Sequence, residues 1–226
     1  MLPPAPLTSR GEQAKTQLVA AAMTLFGEKG LHGATTRDIA QLAEQNIAAI
    51  PYYFGSKDGL YLAVAHYIAD YMLRALGPVF ANIDGLLAPP VLEPERYRQS
   101  IHRIFIKLAE LLSQSETLHL SQIISREQLS PTAAHAIIHQ KAIAPMHRRI
   151  VKLVAGYTGC DPNATETLIH THAMLGEVLS FRIARETVLL QTGWSSIGPE
   201  QITVIQQVLL QHIDWLLNGM RAANTR

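Results

Sequence analysis

Cysteine is almost missing from the 226 residues: only Cys160 occurs, so an intrachain disulfide is impossible and a multi-cysteine zinc site is excluded. A reducing compartment fits, and the length allows a core that needs no covalent staple. A charge excess is missing too. Lys and Arg number 19 against 18 Asp and Glu, a net +1. Residues 1–60 hold as many acidic groups (Glu12, Glu28, Asp38, Glu44, Asp58) as basic ones (Arg10, Lys15, Lys29, Arg37, Lys57). Any nucleic-acid contact there must depend on the placement of a few groups and not on a cationic field. No apolar run approaches the ~20 residues of a membrane span. Met1 to Arg10 carry Pro3, Pro4 and Pro6 without a basic start or an apolar stretch, which reads as a short disordered tail and not a signal peptide. The expected location is the cytoplasm. No glycine-rich phosphate loop and no nucleophile elbow occur, so neither an enzyme nor a cofactor is expected. His135 and His139 have the i, i+4 spacing of a helical metal pair, and His170 and His172 lie close, but neither pair has an identifiable third ligand, so no metal is expected.

What is present is helical periodicity. Apolar residues recur at helical spacing almost throughout, and no alternating β-branched run argues for a sheet, so the chain reads as all-α. Leu18, Ala21, Ala22, Leu25 and Phe26 share one face of a first helix from Gly11 to Gly30, with Gly27 and Gly30 as stop signals. Thr35 followed by Asp38 resembles a capping box before a short helix from Arg37 to Ala43. Glu44 and Gln45 form a turn, and Asn46 is a good N-cap for a third helix from Ile47 towards Phe54. A fourth carries the stripe Leu60, Val64, Tyr67 and Tyr71 and should stop near Gly77 and Pro78, before a loop marked by Gly85, Pro89, Pro90 and Pro94. Beyond it the spacing predicts helices over Glu95–Leu112, Leu118–Glu127, Pro131–Tyr157 with a kink at Pro145, Asn163–Thr187 and Pro199–Asn218.

The second and third helices fit a helix-turn-helix. Two helices cross closely only if a small residue sits midway along the first, and Ala40 does; Ile39 and Ala43 face the core beside it, and Ile50 gives the recognition helix its anchor. The segment Ala34 to Leu60, ATTRDIAQLAEQNIAAIPYYFGSKDGL, resembles the signature of the TetR family of bacterial transcription regulators, in which threonines, R-x-I-A, a recognition helix, Y-x-F, x-S-K and x-x-L come in fixed order. The stretches GEQAK, QNIAAI, YYFGSK, ISREQLSPTAA, TGCD and TGW extend the resemblance over nearly the whole chain.

That resemblance implies a three-helix DNA-binding domain over residues 11–56, with its motif at about 35–54, and a connector, effector-binding and dimerisation domain over 57–226. It further implies a homodimeric, ligand-responsive repressor that leaves a palindromic operator on binding a small molecule and controls drug or xenobiotic sensitivity genes. By the same resemblance Thr36, Arg37, Asn46, Ala48, Ala49, Tyr52, Tyr53 and Lys57 face DNA. The chemistry suits them: the alanines can touch thymine methyls, Asn46 can cap the helix or read an adenine, and Thr36, Tyr53 and Lys57 can bond phosphates, while Phe54 reads as core. Two positions depart from the family pattern. Glu44 stands where glycine serves a positive φ, at a cost of about 1 kcal/mol. Pro51 falls inside the recognition helix, where an interior proline costs about 3 kcal/mol unless the first turn is irregular and Pro51 sits at its edge. These two motivate the alternative of a helical ligand-binding or interaction protein with weakened DNA binding.

In the C-terminal part, Leu168, His172, Leu175, Leu179 and Ile183 form one stripe, with Ala173 and Gly176 permitting close approach, and Ile202, Ile205, Leu209, Ile213 and Leu216 form another. The resemblance makes these two helices the halves of an intersubunit four-helix bundle. Phe105, Leu108, Leu112, Ile123, Ile137, His170, Glu177 and Phe181 are the candidate effector lining, each also a plausible core or surface residue.

Overall fold

A computed structural model describes residues 10–88 and 93–225. The expected N-terminal tail lies outside these residues except for Arg10, as do Pro89 and Pro90 of the expected loop. The described residues are all-helical. In order they form α1 (Arg10–Gly33), α2 (Thr36–Leu42), α3 (Ala49–Phe54), α4 (Lys57–Leu87), α5 (Pro94–Ser113), α6 (Leu118–Leu129), α7 (Ala133–Ile138), α8 (Ala144–Thr158), α9 (Thr165–Ile183), α10 (Arg185–Thr192) and α11 (Pro199–Asn224). A 3₁₀ turn at Ser115–Thr117 precedes α6, and a π turn at His139–Ile143 separates α7 from α8.

These helices form two compact units. The first takes the described residues up to Tyr71 together with Leu118–His139, so α6 and α7 belong with the helix-turn-helix and not with the C-terminal part. Its core is Leu18, Ala22 and Phe26 of α1, Ile39 and Ala40 of α2, Ile50 of α3 and Leu60 and Val64 of α4. The Phe26 ring meets Tyr61 edge-on with centroids 5.0 Å apart. Helix α6 lies close against α1 because Gly27 has no side chain: a Cβ there would come within 2.6 Å of His119. Of the two expected stop signals, Gly27 lies within the helix and Gly30 turns the backbone, with φ 73°, inside α1.

The second unit comprises Met72–Thr117 and Gln140–Arg226. Its core runs through Ile101, Ile104 and Phe105 of α5, Ile150, Leu153 and Val154 of α8, Met174 and Val178 of α9, and Ile205, Leu209, Ile213 and Leu217 of α11. Three expected boundaries shift. Helix α4 passes Gly77, Pro78 and Gly85 and ends at Leu87, because Leu76, Phe80 and Ile83 are buried in this core and hold the turns on either side of the proline. The expected helix Pro131–Tyr157 is broken by the π turn, and Pro145 falls in the first turn of α8, directly behind that turn. The expected helix Asn163–Thr187 breaks at Ala184, whose φ of −101° and ψ of 28° separate α9 from α10.

Candidate nucleic-acid interface

Local chemistry shapes the helix-turn-helix. Thr35 is extended, and its Oγ1 accepts the Asp38 N–H at 3.1 Å, capping α2, while the Asp38 carboxylate lies 3.5 Å from Lys29. The turn after α2 passes through Glu44, which adopts φ 53°, and closes as the Gln45 N–H donates to the Ala40 carbonyl at 2.9 Å. The Gln45 side chain then donates to Gln17 of α1 at 2.8 Å. Asn46 caps the next turn of chain: its Oδ1 accepts the Ala48 N–H at 2.8 Å. Asn46 thus caps the turn that leads into α3 and not α3 itself, whose N-cap is Ala48 without a side-chain cap.

The recognition helix therefore starts two residues later than the periodicity suggests, at Ala49. Pro51 sits in its first turn, and the Ile47 carbonyl, which would meet a backbone N–H at position 51, accepts from Ile50 instead at 3.2 Å. The irregular first turn removes the conflict that an interior proline would create. Ile50 is buried on one side of α3, and Tyr52 on the other is 80% exposed. Tyr53 is half-buried, packs edge-on to Tyr52 and lies under the Lys15 ammonium at 5.5 Å; Phe54, expected in the core, is only half-buried.

Lys57 opens α4 and donates to the Ala34 carbonyl at 3.1 Å, which draws the start of α4 to the start of α2 across 23 residues of chain. Ser56 caps α4 by accepting the Gly59 N–H at 3.0 Å. Exposed Arg37, Asn46, Ala48 and Tyr52 and half-buried Thr36, Ala49, Tyr53 and Lys57 thus all lie in the first unit. Two neighbours carried no sequence signal for this role. Ile47 is a large apolar residue left 48% exposed just before α3, and Lys15 reaches Tyr53 from α1.

The arrangement presents a short helix with small and aromatic side chains, flanked by separate cationic groups. A family model described as "Bacterial regulatory proteins, tetR family" matches residues 18–64, and one for the C-terminal domain of the HTH-type transcriptional dual regulator CecR matches residues 94–220. The HTH-type transcriptional dual regulator CecR of Shigella flexneri is 48% identical over 214 residues, 95% of this chain and 96% of that protein. The chain belongs to the TetR family. It is a DNA-binding transcription regulator similar to CecR. Escherichia coli (strain K12) RutR, another HTH-type transcriptional regulator, is 39% identical over 30% of this chain and 32% of its own length. Solved structures repeat the TetR fold: a TetR-like regulator from Rhodococcus sp. RHA1 has a TM-score of 0.62 at 16% identity, covering 92% of this chain and 99% of that one. AibR in complex with isovaleryl coenzyme A and operator DNA has a TM-score of 0.63 at 13% identity, covering 87% and 96%.

The candidate effector residues do not form one group. Phe105 and Leu108 are buried in the core of the second unit, and half-buried Leu112 and Phe181 pack against it. His170 and Glu177 are half-buried on α9, with Glu177 3.7 Å from His212. Ile123 and Ile137 belong to the first unit, Ile123 wholly buried. A partly open cleft of about 260 Å³ in the second unit is bounded by other residues: Pro78, Val79, Asn82, Ile83, Ser100 and Arg103.

The two C-terminal stripes also divide. Leu175, Ile205, Leu209 and Ile213 are buried in the chain's own core and Ile202 is half-buried, whereas Leu168, His172 and Leu179 are exposed. The exposed apolar face of α9 continues through Ile169 and Ile183, and that of α11 is Val204, Val208 and Trp215. The His135 and His139 rings stack 5.6 Å apart, and among the described residues no group of three potential ligands gathers around a metal position. No helix among them is long and apolar enough to cross a membrane.

Proposed function

We propose that the protein is a ligand-responsive repressor that binds a palindromic operator as a homodimer and leaves it when a small molecule occupies the second unit. The observation that carries this reading is the formed helix-turn-helix, with Glu44 and Pro51 both accommodated and Tyr52 exposed on α3. Thr36, Arg37, Tyr53 and Lys57 are the phosphate-side contacts, and Ala48, Ala49 and Tyr52 meet base edges. Two recognition helices must sit about 34–36 Å apart to enter successive major grooves, so an effector that changes that spacing releases the DNA.

Pairing is supported by the exposed faces of α9 and α11. Leu168, Leu179, Val204, Val208 and Trp215 form apolar surface that the chain's own core does not cover, and Gly176 lies on the same side with room for a close neighbour. Similarity to CecR over nearly the whole chain supports the regulator reading, and the effector response is supported by AibR, a protein of this fold solved in complex with isovaleryl coenzyme A and operator DNA. Drug or xenobiotic sensitivity genes are the proposed targets, and a DNA partner implies a cytoplasmic location.

Footprinting on the DNA upstream of the protein's own gene tests the reading. A protected inverted repeat, lost on adding an inducing drug, is expected; protection of one half-site alone would remove the dimer from it. Lys57→Ala should weaken binding evenly across sequences and lower the salt slope by about one, as loss of one phosphate contact does.

A further inference from the structure

Near its end, helix α9 carries an arginine whose charge no acid among the described residues neutralises. Arg182 is half-buried, and its Nη1 donates to the carbonyl of Gln114, the C-cap of α5, at 3.4 Å. Its Nε and Nη2 are shut off from solvent and have no hydrogen-bond partner among the described residues. A buried donor left without an acceptor loses its hydration with nothing in return, and the loss is greater when it carries charge. The charge acting on it is of the same sign: burial pulls the Arg182 pKa below the usual guanidinium range, and Arg185 pulls it the same way.

The two unpartnered nitrogens have a specific geometry. Nε–H and Nη2–H are parallel donors on one edge of the guanidinium plane, the edge that receives both oxygens of a carboxylate side-on. The Gln114 carbonyl holds the opposite nitrogen, so that edge is fixed in place. Apolar residues flank both Arg182 and Gln114 nearby along the chain. Phe181 precedes Arg182, Leu111 and Leu112 precede Gln114, and all three pack against the core that contains Phe105 and Leu108. A desolvated cation in such surroundings matches an anion that carries an apolar body.

We propose that Arg182 anchors the effector, and that the effector is a small molecule with a carboxylate on an apolar body, seated side-on against Nε and Nη2. This rests on the ligand-responsive reading above and adds the chemical class that the second unit takes. A bound carboxylate supplies the acceptors that the described residues withhold, so the ligand-free protein carries a cost that the liganded one does not.

Calorimetry on the full chain without DNA, using decanoate, 4-phenylbutyrate, decyl phosphate and decanol as probes, tests it. At least one carboxylate should bind tenfold or more tightly than decanol and more tightly than decyl phosphate. Arg182→Met should abolish that preference. Arg182→Lys keeps the charge but lacks the two-donor edge, and should lose about tenfold while folding normally. In ligand-free protein Arg182→Met should raise the melting temperature, because an unpaired buried charge gives way to an apolar side chain. Carboxylates binding no better than decanol, binding unchanged by Arg182→Met, or phosphate preferred would each overturn the proposal. So would a lower melting temperature with loss of the dimer, which would assign the two donors to a second copy of the chain. Operator release separates the two readings: a carboxylate that binds through Arg182 without releasing DNA keeps this site and removes the effector response. Release by a neutral ligand that ignores Arg182→Met does the reverse.

Discussion

Tyr61 and Glu127 show how much a single polar contact carries in the first unit. The Tyr61 hydroxyl donates to the Glu127 carboxylate at 2.8 Å, and the Thr132 N–H and hydroxyl donate to the same carboxylate at 2.9 and 3.0 Å. Burial, reinforced by the Glu127 charge, pushes the Tyr61 phenol well above its usual range. The folded state thus holds this proton more tightly than the unfolded chain, where it leaves near pH 10. The stabilisation is complete below about pH 10 and is lost as the pH rises beyond it. In denaturant titrations between pH 8 and 11, Tyr61→Phe should cost about 1 kcal/mol at pH 8 and flatten the alkaline decline. Glu44 runs the other way. At φ 53° it is the one non-glycine residue with positive φ among the described residues, and Glu44→Gly should stabilise the domain by up to about 1 kcal/mol in urea unfolding.

Among the elements, α3 and α6 respond differently to substitution. Pro51 lies in the first turn of α3, so Pro51→Ala should change stability by less than about 0.5 kcal/mol and not by the 3 kcal/mol of an interior site. Helix α6 is held by Arg126, whose guanidinium donates to the carbonyls of Phe26, Gly27 and Glu28 near the Gly30 turn of α1. Arg126→Ala should cost about 2 kcal/mol, and amide hydrogen exchange should rise first at the end of α1. The helix-turn-helix was legible in the sequence because its determinants are local: the Thr35 cap, Ala40 at the crossing, Ile50 ten residues on. The place of α6 was not, since it depends on a missing side chain at Gly27, which locally resembles a helix stop, and on Arg126 reaching carbonyls 98 to 100 residues away. The break at Ala184 was equally hidden, having neither glycine nor proline to mark it.

For the whole molecule, helical period locates apolar stripes but not the side that meets the chain's own core. Helices α9 and α11 are apolar on two faces, so Leu175, Ile205, Leu209 and Ile213 read as interface while burial inside the chain claims them; Leu168 and Leu179 are exposed as an interface would need. Under the proposed pairing, a charge on the exposed face should therefore separate subunits without unfolding them. Trp215→Glu, 61% exposed at the wild-type indole, should shift sedimentation from dimer to monomer with the helical circular dichroism retained. The candidate DNA contacts were legible only through family resemblance, because ten charges of balanced sign in residues 1–60 draw no basic patch. Specific operator recognition requires a recognition helix that tolerates Glu44 and Pro51. Fluorescence anisotropy with the full chain, titrated across a salt series into DNA from upstream of its own gene and into an unrelated fragment, tests it most directly. Tight binding to the upstream DNA alone, with a steep salt dependence, is the expected result; equal and weak binding to both fragments would contradict it.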